Sequence, residues 1–233
     1  MRVPPTVLLF DVDGTLLSSG GAGRRALERA FTLHCGTPEP LRGVQFNGMT
    51  DPGIVRVGIE RLGRAADDAL IAAILDDYLA LLPGELAATA GGLVYPGVTA
   101  ILDALIVEER VAVGLGTGNL QGGARLKLAQ VGLDGYFAFG GFGSDHEDRT
   151  ELLRIGAARG AAHFGATPAD CRLLVIGDTP RDVAAACAIG AASLVVETGG
   201  FPAASLRAAG ATWAVADLTD ATVPDILRNG DVT

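Results

Sequence analysis

The sequence predicts an α/β protein: a doubly wound, mostly parallel sheet with a smaller all-helical unit inserted after its first strand. Three observations carry that prediction. Short apolar runs at Val7–Phe10, Val111–Leu115 and Leu173–Ile176 lack polar alternation, as strands buried on both faces do. Helical patterns separate these runs, and strands that alternate with helices build βαβ units. One stretch, from about Gly23 to Ala90, carries helical patterns only.

Taken in order, the first strand Val7–Phe10 is followed by helices at Gly23–Cys35, Pro52–Leu62 and Asp67–Leu82. Pro38, Pro40 and Gly43 punctuate the first gap between these helices, and Thr89–Gly92 with Pro96 and Gly97 marks the exit. A helix at Thr99–Glu108 then leads into the strand Val111–Leu115. Helix Gln121–Val131, a weak strand at Phe137–Phe139 and helix Glu151–Phe164 precede the strand Leu173–Ile176. Helix Arg181–Ile189, strand Ala192–Val196, helix Pro202–Ala209 and a weak strand at Trp213–Val215 complete the pattern. The expected division is a Rossmann-like core of residues 1–17 and 93–233 around a helical unit of residues 18–92. The glycines of "SSGGAGRR", Ser18 to Arg25, suit a hinge between the two. Arg24 and Arg25 could attract an anionic substrate, but read first as a solvated helix face.

Composition narrows the function. The 233 residues are 49% hydrophobic, ample for a large core, and the formal net charge of −9 argues against nucleic-acid partners. No stretch approaches the roughly 18 to 20 apolar residues of a membrane span, and the apolar run at the chain start is too short for a signal peptide. Cys35, Cys171 and Cys187 are widely spaced and odd in number, and read as small buried hydrophobes in a reducing, cytoplasmic compartment. Of the 18 basic residues only Lys127 is a lysine.

The chemistry concentrates where the three clearest strands end. "VLLF" runs into Asp11-Val12-Asp13-Gly14-Thr15, "VAVGLG" into Thr117-Gly118-Asn119, and "LLVIG" into Asp178-Thr179-Pro180-Arg181-Asp182. In an open α/β sheet the carboxyl ends of the strands share one crevice. Asp11, Asp13, Asp178 and Asp182 would crowd there with the Thr117 hydroxyl. Four carboxylates do not stay ionised together without a cation, and a hard, oxygen-loving ion such as Mg²⁺ suits them. Each acid by itself could be a turn or helix cap, and for Asp182 taken alone that is the preferred reading. The hydroxyl and free amides of Thr117, Gly118 and Asn119, ahead of a helix, suit phosphate binding.

The ordered set D-x-D-G-T, strand-end Thr and G-D-x-x-x-D resembles the phosphatases of the haloacid dehalogenase superfamily that carry an inserted helical cap. That resemblance implies Asp11 as nucleophile and Asp13 as general acid/base, with the Asp13 carbonyl also on the metal. It further implies Thr117 as a phosphoryl ligand, Asp178 with Asp182 holding Mg²⁺, and Gly14 and Thr15 as candidate substrate contacts beside the acids. A small-molecule phosphate ester is the implied substrate.

The superfamily also uses a basic residue, most often Lys, against phosphate and nucleophile. Arg149, opening a helix at the expected place in the order, is favoured over Lys127, which reads as a solvated mid-helix side chain. "FNGMTDPGIV" resembles a G-x-T-D segment of phosphoglycolate phosphatases. Thr50 or Asp51 caps a helix there in the first instance, while Gly48 and Thr50 remain candidate substrate contacts. Phosphoglycolate is the leading substrate by resemblance alone, with a phosphoglucomutase-like transfer or a non-catalytic regulatory domain as alternatives. A calcium-binding helix-loop-helix fails, because the sixth and twelfth places from Asp11 hold Leu16 and Ala22.

Overall fold

The computed structural model describes residues 4–89 and 92–230. The expectations for the extreme chain start and for residues 90–91 of the exit segment lie outside that range. Six parallel strands form one sheet in the order β5-β4-β1-β6-β7-β8. They are β1 (Thr6–Phe10), β4 (Val111–Thr117), β5 (Gly140–Phe142), β6 (Arg172–Gly177), β7 (Ala192–Val196) and β8 (Trp213–Val215). The sequence order reverses across β1, so helices cover both faces, as expected of a doubly wound sheet.

Strand β1 lies in the middle and is buried throughout. Its alternation divides the core: Leu8 and Phe10 join one cluster with Leu115, Ile176 and Phe137, while Val7 and Leu9 join another with Leu152, Leu153 and Val175. Phe10 registers with Leu115 of β4 on one side and Ile176 of β6 on the other. These three neighbouring strands, roughly 5 Å apart, therefore end within two residues of one another.

Between the first two sheet strands lie α1 (Ala22–Cys35), α2 (Asp51–Arg61) and α3 (Asp68–Ala88). Leu27, Phe31, Ile59, Ile74 and Tyr78 build an apolar cluster of their own. Two short antiparallel strands, β2 (Leu17–Ser18) and β3 (Leu93–Val94), tie the ends of this helical unit together. Sequence patterning missed them because two-residue strands carry no periodicity. The remaining helices are α4 (Val98–Leu105), α5 (Gln121–Gln130), α6 (Arg149–Ala162), α7 (Pro180–Ala188), α8 (Ala203–Ala208) and α9 (Val223–Asn229). Helix α9 was not anticipated.

Three further expectations need correction. Helix α3 continues through Pro83 to Ala88 instead of stopping near Leu82. Proline costs helix interiors about 3 kcal/mol, yet Leu86 is buried and Glu85 pairs with both Arg25 and Arg29 of α1, which holds the last turn in place. The weak strand lies at Gly140–Phe142, not Phe137–Phe139. Helix α6 packs so closely that a Cβ on Gly141 would sit 1.8 Å from the Leu152 carbonyl oxygen, so the strand is glycine-rich and its apolar signal falls in the preceding turn. The cysteines are free but not buried: Cys35 and Cys171 are half-buried and Cys187 is exposed.

Candidate active site

Asp11 and Thr117 at the strand ends face one cavity of about 300 Å³ between the sheet and the helical unit, half open to solvent; Asp178 and Asp182 do not line it. Asp11, Asp13, Thr117, Asn119, Lys127 and Arg149 all line it. Asp11 follows β1, Thr117 closes β4 and Asp178 follows β6, so the parallel register brings the three segments together.

Asp11, Asp178 and Asp182 each place a carboxylate oxygen within 4.8 Å of the others, and all three are buried. Asp178 is 1% exposed; its Oδ1 accepts from the Thr15 hydroxyl at 3.0 Å, while its Oδ2 is buried without a hydrogen-bond partner. Burial raises the Asp11 carboxyl to about 6, with Asp182 pushing the same way and Arg149 and Thr117 opposing. Burial, then Asp182 and Asp11, push Asp178 well above the usual carboxylate range. Acids so strained, with an unpartnered buried oxygen among hard donors, fit a divalent cation. Asp182 is the least free of the three. Its Oδ2 accepts from the Asp178 and Thr179 amides at 3.2 and 2.9 Å and from the Thr179 hydroxyl at 2.7 Å, and its Oδ1 faces Arg149. It caps α7 and steadies the loop that carries Asp178.

Two cations reach the site. Arg149 opens α6, is buried, and places Nη2 2.9 Å from Asp11 Oδ2 while also pairing with Asp182. Lys127 was expected to be solvated. It is 4% exposed, with Nζ 2.5 Å from Asp13 Oδ2 and 2.6 Å from Asn119 Oδ1. Burial opposes its charge, but Asp13 and Asp51 outweigh burial and leave its pKa raised. The sole lysine of the chain thus serves Asp13, and Arg149 serves Asp11. The signal was present in the sequence: one lysine among 18 basic residues, on the helix after Thr117.

Asp13 is the more open of the paired acids. Its Oδ2 also accepts from Asn119 Nδ2 at 2.9 Å, and its Oδ1 accepts from the Ser19 hydroxyl at 3.4 Å. The Thr117 hydroxyl oxygen accepts from Asn119 Nδ2 at 2.9 Å. Of the amides expected to meet phosphate, Asn119 N donates to Thr117 Oγ1 at 3.3 Å; the two amides that follow, Leu120 N and Gln121 N, donate to Asp51 Oδ2 and Ser144 Oγ. The Asp13 carboxylate is not part of the three-acid cluster, so side-chain ligation by Asp13 is not what the geometry offers.

Among the expected substrate contacts, Gly14, Gly48, Gly118 and Asn119 line the cavity; Thr15 and Thr50 do not. Thr15 is turned to Asp178. Thr50 caps α2, accepting from Gly53 N at 3.2 Å and donating to the Glu147 carbonyl at 2.9 Å. The capping role therefore falls to Thr50, and Asp51 does something patterning did not show. It reaches from α2 across to the core, donating from its amide to the Gly118 carbonyl at 2.8 Å and accepting from Leu120 N at 2.8 Å. Burial raises its carboxyl to about 6 against the pull of Lys127. Arg56 Nε, shared between Glu147 Oε1 and Oε2 at 3.0 and 2.9 Å, and Arg181 donating to the Asn47 carbonyl at 2.6 Å complete the seam.

Fold and site together define a Rossmann-like α/β enzyme with aspartates at its strand ends, beneath a helical roof. The chain belongs to the haloacid dehalogenase-like hydrolase family, which it matches over residues 5–190. It is 33% identical over 215 residues to a phosphoglycolate phosphatase of Rhodospirillum rubrum, covering 88% of this chain and 85% of that protein. It shares its fold with a Pseudomonas syringae hydrolase at a TM-score of 0.68 and 22% identity, covering 92% of this chain and 95% of that one. CbbY from Rhodobacter sphaeroides, solved in complex with phosphate, superposes at 0.67 with 17% identity, covering 93% and 96%.

Proposed function

We propose that this enzyme hydrolyses phosphomonoesters of small metabolites through an aspartyl-phosphate on Asp11, with phosphoglycolate the leading substrate. The observation that carries this reading is the pairing of the acids with different partners. Asp11 is buried against Arg149 beside Asp178, while the more open Asp13 is aimed by Lys127, Asn119 and Ser19. The first arrangement suits a nucleophile and the second a proton carrier. Asp11 attacks phosphorus; Asp13 gives a proton to the leaving alkoxide and afterwards takes one from the water that hydrolyses the acyl phosphate. Arg149 holds the nucleophile in place and offers charge to the phosphoryl oxygens. Asp11 and Asp178, with Asp182 behind them, would hold Mg²⁺, which supplies the positive charge that lets an anionic carboxylate approach an anionic phosphate.

The helices α1–α3, residues 18–92 with their hinge, act as a cap over the core, and the cavity of about 300 Å³ beneath them suits compact esters. The relative's printed activity supports phosphoglycolate. Three unpaired cysteines suit a reducing compartment such as the cytoplasm.

Release of inorganic phosphate from a panel of small esters with Mg²⁺ tests the reading. Asp11→Asn is expected to lower turnover at least about 10³-fold and to abolish acid-stable labelling of the chain by phosphate. Turnover retained by that variant would end the covalent mechanism. Interconversion of sugar phosphates without phosphate release would assign a mutase instead.

A further inference from the structure

Three cationic side chains line the cavity among the described residues: Lys127, Arg149 and Arg24. Two are matched to acids of the site, Lys127 to Asp13 and Arg149 to Asp11 and Asp182. Arg24, on the first turn of α1, meets no acid of the site. Among the described residues its only carboxylate partner is Glu28, one turn along the same helix at 3.3 Å, and both side chains are about one-third exposed (38% and 33%). A pair of that kind contributes little and is readily exchanged.

Arg24 is nonetheless held in place. Its guanidinium carbon lies 3.7 Å from the centroid of the Phe46 ring, and Nη2 donates to the Val44 carbonyl at 2.7 Å. Phe46 and Leu27 line the same cavity and provide apolar surface next to the charge. The sequence reading of Arg24 as a solvated helix face is therefore incomplete. A stacked, anchored guanidinium at the cap end of a cavity whose other end handles phosphate is arranged for a second anionic group on one ligand.

We infer that Arg24 recognises a carboxylate on the leaving group, making this a phosphatase for compact phosphate esters that carry their own acid. The planar fork matches a carboxylate with paired hydrogen bonds, and Phe46 keeps it from folding back into solvent. Lys127 is the poorer candidate, since a substrate carboxylate beside it would face Asp13 and Asp51. The inference rests on the phosphomonoesterase reading above and narrows its substrate class.

The experiment compares two esters of nearly equal size with Mg²⁺ present: phosphoglycolate, and 2-hydroxyethyl phosphate, in which a hydroxymethyl group replaces the carboxylate. The wild-type enzyme is expected to have the higher kcat/KM for phosphoglycolate. In Arg24→Gln the ratio of the two kcat/KM values is expected to fall about 10- to 100-fold, carried by KM, the range of one charge-assisted contact. Arg24→Lys should recover part of the ratio. Arg29→Gln, which removes a charge from the same helix away from the cavity, should leave the ratio unchanged. Thermal unfolding of each variant verifies that it is folded. An unchanged ratio in Arg24→Gln, an equal loss on both esters, or no wild-type preference for phosphoglycolate would overturn the inference while leaving the phosphatase reading standing. Failure of the wild-type enzyme to hydrolyse any phosphate ester would remove that reading, and this inference with it.

Discussion

Lys127 and Asp51 show how single residues change meaning once their neighbours are known. A lysine in mid-helix is ordinarily solvated, yet Lys127 loses its water and gains Asp13 and Asn119 as partners. Gly23 of α1 leaves room for its ammonium, since a Cβ there would sit 3.2 Å from Nζ. If Lys127 aims Asp13, its loss should fall on proton transfer to the leaving group. Lys127→Met is expected to lower kcat about 10- to 100-fold on alkyl phosphates. It should do less to p-nitrophenyl phosphate, whose leaving group needs no proton, and steady-state kinetics on both ester types checks this. Equal losses would reduce Lys127 to a packing role. The pattern of acids at 11, 13 and 178 is readable from residue order; the partner of each acid is not, since Lys127 lies 114 positions from Asp13 and Thr15 lies 163 positions from Asp178.

Elements decide how the roof meets the floor. Helix α2 begins against the loop after β4, and a Cβ on Gly118 would sit 2.1 Å from the Met49 carbonyl oxygen. No side-chain rotation relieves a clash between two backbones. Gly118→Ala is therefore expected to force the helical unit off the core, lowering both the melting temperature and kcat/KM, with a cost of about 1–3 kcal/mol typical of overpacking. Chemical denaturation with parallel kinetics measures both; unchanged values would mean that the seam is looser than its geometry. Strand existence was legible at this scale for the buried runs. Strand position failed at β5, where close helix packing demands glycine and so erases the apolar signal.

The whole molecule concentrates buried acids, and that has a cost in water. Asp11 and Asp51 both titrate near 6 in the folded, metal-free chain, against about 4 when unfolded. The folded state then binds more protons between about pH 4 and pH 6, so stability is lost as pH rises through that window. The metal-free protein is expected to melt several degrees higher at pH 5 than at pH 7, at about 2–4 °C per kcal/mol for a chain this long. Saturating Mg²⁺ should raise the melting temperature at pH 7 and shrink the difference, since a cation favours the ionised acids; 100-fold saturation adds about 2.7 kcal/mol. Differential scanning calorimetry with and without chelator tests both statements. A metal-free melting point that rises with pH would contradict the assignment of raised acids.

By itself the sequence determined the class of fold, the family and the strand-end positions of Asp11, Asp13, Thr117 and Asp178. Those depend on local patterns: apolar runs with a period the backbone imposes, each ending in a polar turn. Only the tertiary structure decided which cation serves which acid, that Thr15 supports Asp178, and that Asp51 and Arg24 face inward. Such assignments arise where distant segments meet at the seam between the helices and the sheet. There desolvation and pairing fix each group's role, and neither leaves a mark on the residues next to it in the chain.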